Sequence, residues 1–174
     1  PDGSRWDLPD DVLQAALDAM IKAKDNFKAL WAGAGALGRL LASEEVWISD
    51  SPVYGALRAR DAGNPNLKVV FPNTRSLGWI DGHMIVKDAE NREAAIKWID
   101  HFYNPENSAS FMEKTWLPMT NKSGIDLVVQ HGHGEEIEML NAYDMGSWVG
   151  RYSMFQPLLN PEKFNNAWAE FLSA

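Results

Sequence analysis

The stretch 45-EVWISDSPVYGALRARDAGNPNLKVVF-71 contains two short apolar runs separated by a segment with helix signals. The runs at 45–49 and 67–71 are rich in Val, Ile and aromatic residues, which is typical of buried strands. The segment 51–63 predicts a helix, because a Ser-Pro pair suits its N-cap and first position and Gly63 suits its end. The order strand, helix, strand predicts an α/β fold.

Helix and strand signals continue to alternate on both sides of this stretch. Apolar spacing and end signals predict helices at 9–24, after Asp88 over 90–103, from Asn104-Pro105 to about 114, near 135–143 and from Asn160-Pro161 onward. The run 76-SLGWIDGHMIV-86 predicts a strand through about Val86. The segment 117–124 predicts extended, turn-like chain, followed by a polar stretch.

The composition limits the classes of function. The 174 residues include 24 acidic and 16 basic side chains, for a formal charge of −8. This charge argues against nucleic acid or anionic lipid as the main partner and suits a cationic ligand. The absence of cysteine excludes thiol catalysis, disulfides and thiolate metal sites. No apolar run is long enough to span a membrane, and we expect any signal peptide to lie outside this chain.

The segment 33-GAGALG-38 matches the G-x-G-x-x-G motif of dinucleotide-binding enzymes through Gly33, Gly35 and Gly38. That function requires a strand directly before the glycines and a long helix after them. The preceding residues 26–31 make a poor strand, so the motif predicts a loop that enters a short helix.

A second motif, 130-QHGHGEE-136, places His131, His133 and Glu135 close together. A metal site needs further ligands at a recognisable spacing, and the sequence offers none, so we expect a solvated loop. No nucleophile with a matching base and acid is visible. We therefore expect neither catalysis nor a cofactor.

Trp79 and Asp81 suggest a binding site. On a strand, residues two positions apart share a face, so the indole and the carboxylate would be neighbours. An aromatic ring beside a carboxylate suits an organic ammonium ion, through cation–π attraction and a charge-assisted hydrogen bond. The alternative is a core tryptophan with Asp81 capping a turn.

The order of segments over 45–121 resembles the C-terminal half of polyamine-type (spermidine/putrescine) solute-binding proteins of bacterial ABC transporters. The landmarks are a strand and a helix ending in Arg-Asp-Ala-Gly, then Trp-x-Asp at Trp79, a helix over 93–102, Asn-Pro-Glu at Asn104, and Leu-Pro-x-x-Asn ending at Asn121. Gly78 departs from the pattern, because many relatives have an aromatic residue there.

The resemblance implies which residues hold the ligand. It gives Asp81 the role of binding an ammonium group and Trp79 that of stacking on an alkyl chain. The strand–helix junction adds Trp47, Ser49, Asp50 and Ser51. Gln156 matches a late cleft residue, for which Tyr152 or Trp148 could serve instead.

The resemblance also implies the architecture and the partners. The fold would be periplasmic-binding-protein type II-like and two-lobed, present here as an incomplete C-terminal portion. Its parts would be 1–78 in the second lobe, 79–130 as a crossing strand and returning part of the first lobe, and 131–174 again in the second lobe. The protein would be periplasmic or extracytoplasmic and would deliver a small cationic solute to a membrane permease.

Three alternatives stay open from the sequence. The same fold could bind a sugar, thiamine, a metal ion or a phosphonate. A nucleotide-dependent enzyme could use the glycines at 33–38. Two copies could also complete each other as a swapped homodimer, because an incomplete lobe would expose apolar surface.

Overall fold

The computed structural model of the chain describes residues 5–72, 74–143 and 152–174. The helices are α1 (Asp10–Ala23), α2 (Ala34–Ala42), α3 (Val53–Asp61), α4 (Arg92–Phe102), α5 (Pro105–Thr115), α6 (Lys122–Gln130), α7 (Gly134–Leu140) and α8 (Pro161–Ser173), and a 3-10 turn covers Lys24–Asn26. The strands are β1 (Ser76–Gly78) and β2 (Tyr152–Met154), which pair in parallel. No helix in these residues is long and apolar enough to cross a membrane.

The chain divides into two compact units. The first unit is made of Pro1–Leu30, Ser76–Trp79 and Tyr152–Ala174, and the second of Trp31–Arg75 and Ile80–Arg151. The predicted division into lobes stays a prediction.

The first unit brings distant parts of the chain together. α1 packs on α8, where Leu17 and Phe171 are buried. The ammonium group of Lys24 donates to the carbonyl oxygens of Phe171 at 2.7 Å and Leu172 at 3.1 Å, which satisfies carbonyl groups at the end of α8. Pairing of Ser76–Gly78 with Tyr152–Met154 forms the small sheet.

The second unit contains two apolar clusters. In one, α2 packs on α3 through Leu37, Leu41 and Ala59. In the other, α3 and α5–α7 surround Met112 and Val128, both completely buried. Burial of these side chains removes apolar surface from water and so stabilises this unit.

The predicted strands at 45–49 and 67–71 and the predicted continuation of β1 to Val86 are wrong. Residues 45–49, 67–71 and 79–86 lie outside helices and strands. A strand forms only when its backbone groups bond to a neighbouring strand, and the described part of the chain gives these runs no such neighbour. Several of their apolar side chains are exposed instead, with Ile48 at 91%, Val70 at 81% and Met84 at 90%, whereas Val46 and Leu67 are partly buried. The α/β prediction is therefore confirmed only as a mixture of helices with a small parallel sheet.

The helix predictions agree with the structure better than the strand predictions do. The helix over 9–24 is confirmed as α1, and Asn104 caps α5 by accepting from the backbone N–H groups of Glu106 and Asn107. The N-cap prediction for Ser51 is wrong, because α3 starts after Pro52 and the Ser51 hydroxyl donates to the Pro52 carbonyl oxygen at 2.8 Å.

Two further helix starts differ from the prediction. Asn91 rather than Asp88 precedes α4. The helix α6 was predicted as a turn followed by a polar stretch. It forms because Ile125 and Val128, one helical turn apart, are buried against neighbouring helices.

Candidate functional site

Trp79 directly follows β1 in the first unit and is 43% exposed. Its ring centroid lies 6.0 Å from that of Phe155, at an interplanar angle of 49°. The ring centroid of Trp6, which is buried, lies 5.8 Å from the ring centroid of Phe155. A hydrogen bond of 2.9 Å from the Phe155 backbone N–H to the Gly78 carbonyl oxygen holds the two chain segments together. The result is an aromatic surface that Trp79 and Phe155 present to solvent.

Gly78 packs closely against Tyr152 of the paired strand. A Cβ at this position would lie 3.1 Å from both Cβ and Cδ1 of Tyr152, which is tighter than normal packing. A side chain at position 78 would therefore require the Tyr152 ring to shift by a few tenths of an ångström. Next along the strand, Leu77 pairs with Ser153, whose buried hydroxyl has no hydrogen-bond partner in the part of the chain described.

Asp81 lies in the second unit, exposed and outside any strand. The premise that strand geometry places it on the same face as Trp79 is wrong, because β1 ends at Gly78. The role of the two residues in binding stays a prediction.

Asp50 is also exposed, and its carboxylate is oriented. Its Oδ1 atom accepts a hydrogen bond of 3.0 Å from the indole Nε1–H of Trp31. The Ser49 hydroxyl donates to the backbone carbonyl oxygen of Asp50 at 2.7 Å. The side chain of Asp50 and the backbone beside it are therefore each held by a separate bond.

The remaining predicted residues are placed as follows. Trp47 is 84% exposed and precedes Asp50 by three positions. Gln156 is exposed and follows Phe155, whereas its alternative Tyr152 lies in β2. The other alternative, Trp148, lies outside the described residues.

The glycine motif lacks the strand that nucleotide binding requires. Residues 27–33 contain no strand, and α2 starts at Ala34 and is only nine residues long. An open depression lies on α2 beside Arg39, Glu45 and Ala62, and none of the predicted ligand residues lines it.

The histidines do not form a metal site within 5–72, 74–143 and 152–174, where no three His, Asp or Glu side chains come together as metal ligands would. His131 Nδ1 lies 2.6 Å from Glu113 Oε1, and His133 Nδ1 lies 3.8 Å from Glu136 Oε2. Each histidine thus lies next to a different carboxylate.

A carboxyl group with a shifted pKa lies outside the predicted site. The Tyr143 hydroxyl donates to Asp126 at 2.7 Å, and this bond, with a second one from Lys122, lowers the pKa of Asp126. The same contact raises the pKa of Tyr143. These exposed groups join α6 to the residues after α7, which is a structural role.

Sequence reasoning missed Trp31 and Phe155. Trp31 lies 19 positions before its partner Asp50, so no local spacing links them. Phe155 could have been found from its position beside Gln156, because the turn-rich segment there has an aromatic residue next to a predicted ligand residue.

Comparison with known proteins gives one match. A family model described as bacterial extracellular solute-binding protein matches residues 2–129. No curated protein matches the chain, and no solved structure does.

Proposed function

The chain belongs to the family of bacterial extracellular solute-binding proteins, and we propose on that premise that it captures a small organic cation of the polyamine type for an ABC importer. Membership implies an extracellular or periplasmic protein that holds a small solute and meets a membrane permease. The cationic ligand and the two-lobed type II architecture are the finer parts of the proposal.

The exposed carboxylate of Asp50 is the observation that carries the ligand class. In the described part of the chain, its side-chain partner is the neutral indole of Trp31, and no basic side chain pairs with it. Among these residues the carboxylate is therefore in no ion pair and can contact a ligand. Asp81 likewise lacks a basic partner among the described residues, and the chain as a whole carries a formal charge of −8. The exposed carboxylates and the negative net charge both attract an ammonium group.

The exposed aromatic residues support the same class. Trp47 and Trp79 expose ring surface that can contact methylene groups and attract a cation. A diamine offers both a charged end and a hydrocarbon chain. Binding then rests on charge-assisted hydrogen bonds, each about 1–3 kcal/mol, and on aromatic contact. No covalent bond forms or breaks, so the function is binding rather than catalysis.

A thermal-shift panel followed by calorimetry tests the ligand class. The panel includes putrescine, spermidine, a sugar, thiamine, a ferric complex and a phosphonate. 1,4-Butanediol is the matched control for putrescine, because it has the same hydrocarbon chain without the charge. At 100 times its dissociation constant, the true ligand stabilises the folded protein by about 2.7 kcal/mol.

We expect putrescine or spermidine to raise the melting temperature by several degrees and butanediol to leave it unchanged. A rise with the sugar or the phosphonate alone would refute the cationic ligand while leaving the solute-binding family intact. Equal shifts with putrescine and butanediol would show that charge does not contribute.

A further inference from the structure

The hydrogen bond between Trp31 and Asp50 joins a partly buried ring to an exposed carboxylate. The ring of Trp31 packs against the cluster of Leu37, Leu41 and Ala59, together with Val46 and Leu67. Its Nε1–H reaches out of this cluster to Asp50 Oδ1 at 3.0 Å. A side chain anchored in a core thus restricts the rotation of an acidic side chain at the surface.

The small net stability that this exposed hydrogen bond adds to the fold does not account for it. An exposed carboxylate is already well hydrated, so exchanging water for an indole donor adds little net stability. Holding the carboxylate in one rotamer does matter for a ligand, because a mobile side chain would lose its rotamer freedom during binding. Trp31 removes that ordering cost before a ligand arrives.

The choice of donor is also informative. An arginine or lysine at this place would orient Asp50 but neutralise it. The indole N–H is a neutral donor with no acceptor function, so it orients the carboxylate and leaves its charge intact. It engages Oδ1, and the second oxygen, Oδ2, is left as an acceptor for an ammonium group. Asp81 has no comparable side-chain support among the described residues.

We propose that Trp31 is a positioning residue of the binding site, which holds Asp50 as the primary anchor for the ammonium group of the ligand. This inference rests on the proposed function. It commits to Asp50 over Asp81 as the main charged contact, and it adds to the site a residue that does not itself need to touch the ligand.

A double-mutant cycle on the 174-residue chain tests the proposal with putrescine in calorimetry. Trp31→Phe keeps an aromatic ring for the cluster and removes the N–H. Asp50→Asn keeps the shape of the anchor and removes its charge. We expect Trp31→Phe to weaken binding about 3- to 10-fold in the wild-type background and less than 2-fold in the Asp50→Asn background, because without the charge there is little left to position.

Trp116→Phe is the matched control. Trp116 also donates its indole N–H to an aspartate, Asp61, in the same unit, but it is buried in the other cluster. We expect this variant to lower the melting temperature and to leave the affinity of the folded protein for putrescine unchanged. A loss of affinity equal to that of Trp31→Phe would attribute both effects to weakened folding and overturn the proposal.

The failures of the inference and of the proposed function are distinguishable. Wild-type affinity in Trp31→Phe, or an equal loss in both backgrounds, would refute the positioning role while putrescine still binds. A wild-type chain that binds neither putrescine nor spermidine but binds another solute of the panel would refute the cationic ligand itself.

Discussion

Gly124 is a position where the packing of the second unit is sensitive to one added methyl group. It lies in the first turn of α6, buried against α5. A Cβ there would lie 2.8 Å from the Cβ of Ser108 and 3.2 Å from the carbonyl oxygen of Pro105. Both neighbours are short and held by the helix, so the two helices would have to move apart.

Gly38 in α2 provides a matched control. It is also a buried helical glycine of the second unit, but in the described part of the chain no heavy atom outside its chain neighbours and its own helix backbone lies within 4 Å of the Cβ position. Both Gly→Ala changes gain about 1 kcal/mol of helix propensity, and only Gly124→Ala adds overpacking, which costs about 1–3 kcal/mol. The difference between the two variants therefore isolates the packing cost.

We expect Gly38→Ala to raise the free energy of unfolding by about 0.5–1 kcal/mol relative to wild type. Gly124→Ala should fall below Gly38→Ala by about 1–3 kcal/mol. For a chain of this length, that difference corresponds to roughly 2–12 °C in melting temperature. Urea unfolding followed by circular dichroism measures both variants. Equal stability of Gly124→Ala and Gly38→Ala would refute the close contact between α5 and α6.

Three further predictions concern single side chains. Asp81→Asn should weaken putrescine binding by about 1–3 kcal/mol in calorimetry, because a charge-assisted hydrogen bond to an ammonium group is lost, and unchanged affinity would remove Asp81 from the site. Ser153→Ala should stabilise the protein by about 1 kcal/mol in urea unfolding, because it removes a buried hydroxyl without a partner, and a loss of stability would show that the hydroxyl is bonded. Tyr143→Phe should raise the pKa of Asp126, which lies below its usual 3.8 in the folded protein. A carboxyl group whose pKa is lowered in the folded state stabilises the fold at any pH above its unfolded pKa. This stabilisation is lost as the pH falls through the folded pKa. Wild type should therefore be more stable than Tyr143→Phe at pH 7, and the difference in the free energy of unfolding should disappear in acid. A gap that is the same at pH 7 and pH 2 would contradict this.

The helices were largely predictable because their signals are local. The acidic first turn of α1, the Asn-Pro start of α5 and the apolar spacing of α8 all lie within the elements that they define. The strands were not, because a strand depends on a partner elsewhere in the chain. The run at 67–71 has the composition of a strand, but composition alone does not supply a neighbour for its hydrogen bonds.

The candidate site shows the same difference between local signals and contacts that join distant parts of the chain. Asp50 was proposed from the family resemblance, at the junction between an apolar run and a helix start, and its role in binding stays a prediction. Its support by Trp31 was not, since the bond joins residues 19 positions apart whose approach depends on the packing of α2 and α3. Trp79 was proposed from its spacing to Asp81 and from the same resemblance, but its neighbour Phe155 comes close only through the pairing of β1 with β2.

The way in which the first unit is assembled determines the order of its folding. Ser76 pairs with Tyr152, 76 positions later, and Lys24 reaches Phe171, 147 positions later. Closing a loop of the first size costs about 4 kcal/mol of chain entropy, before any constant term, and no contact repays that cost until both ends are present. The helices α5, α6 and α7 of the second unit are neighbours in sequence and in contact, so they can form early. During synthesis, α1 must therefore remain without its partner until α8 has emerged from the ribosome, and the first unit is completed last.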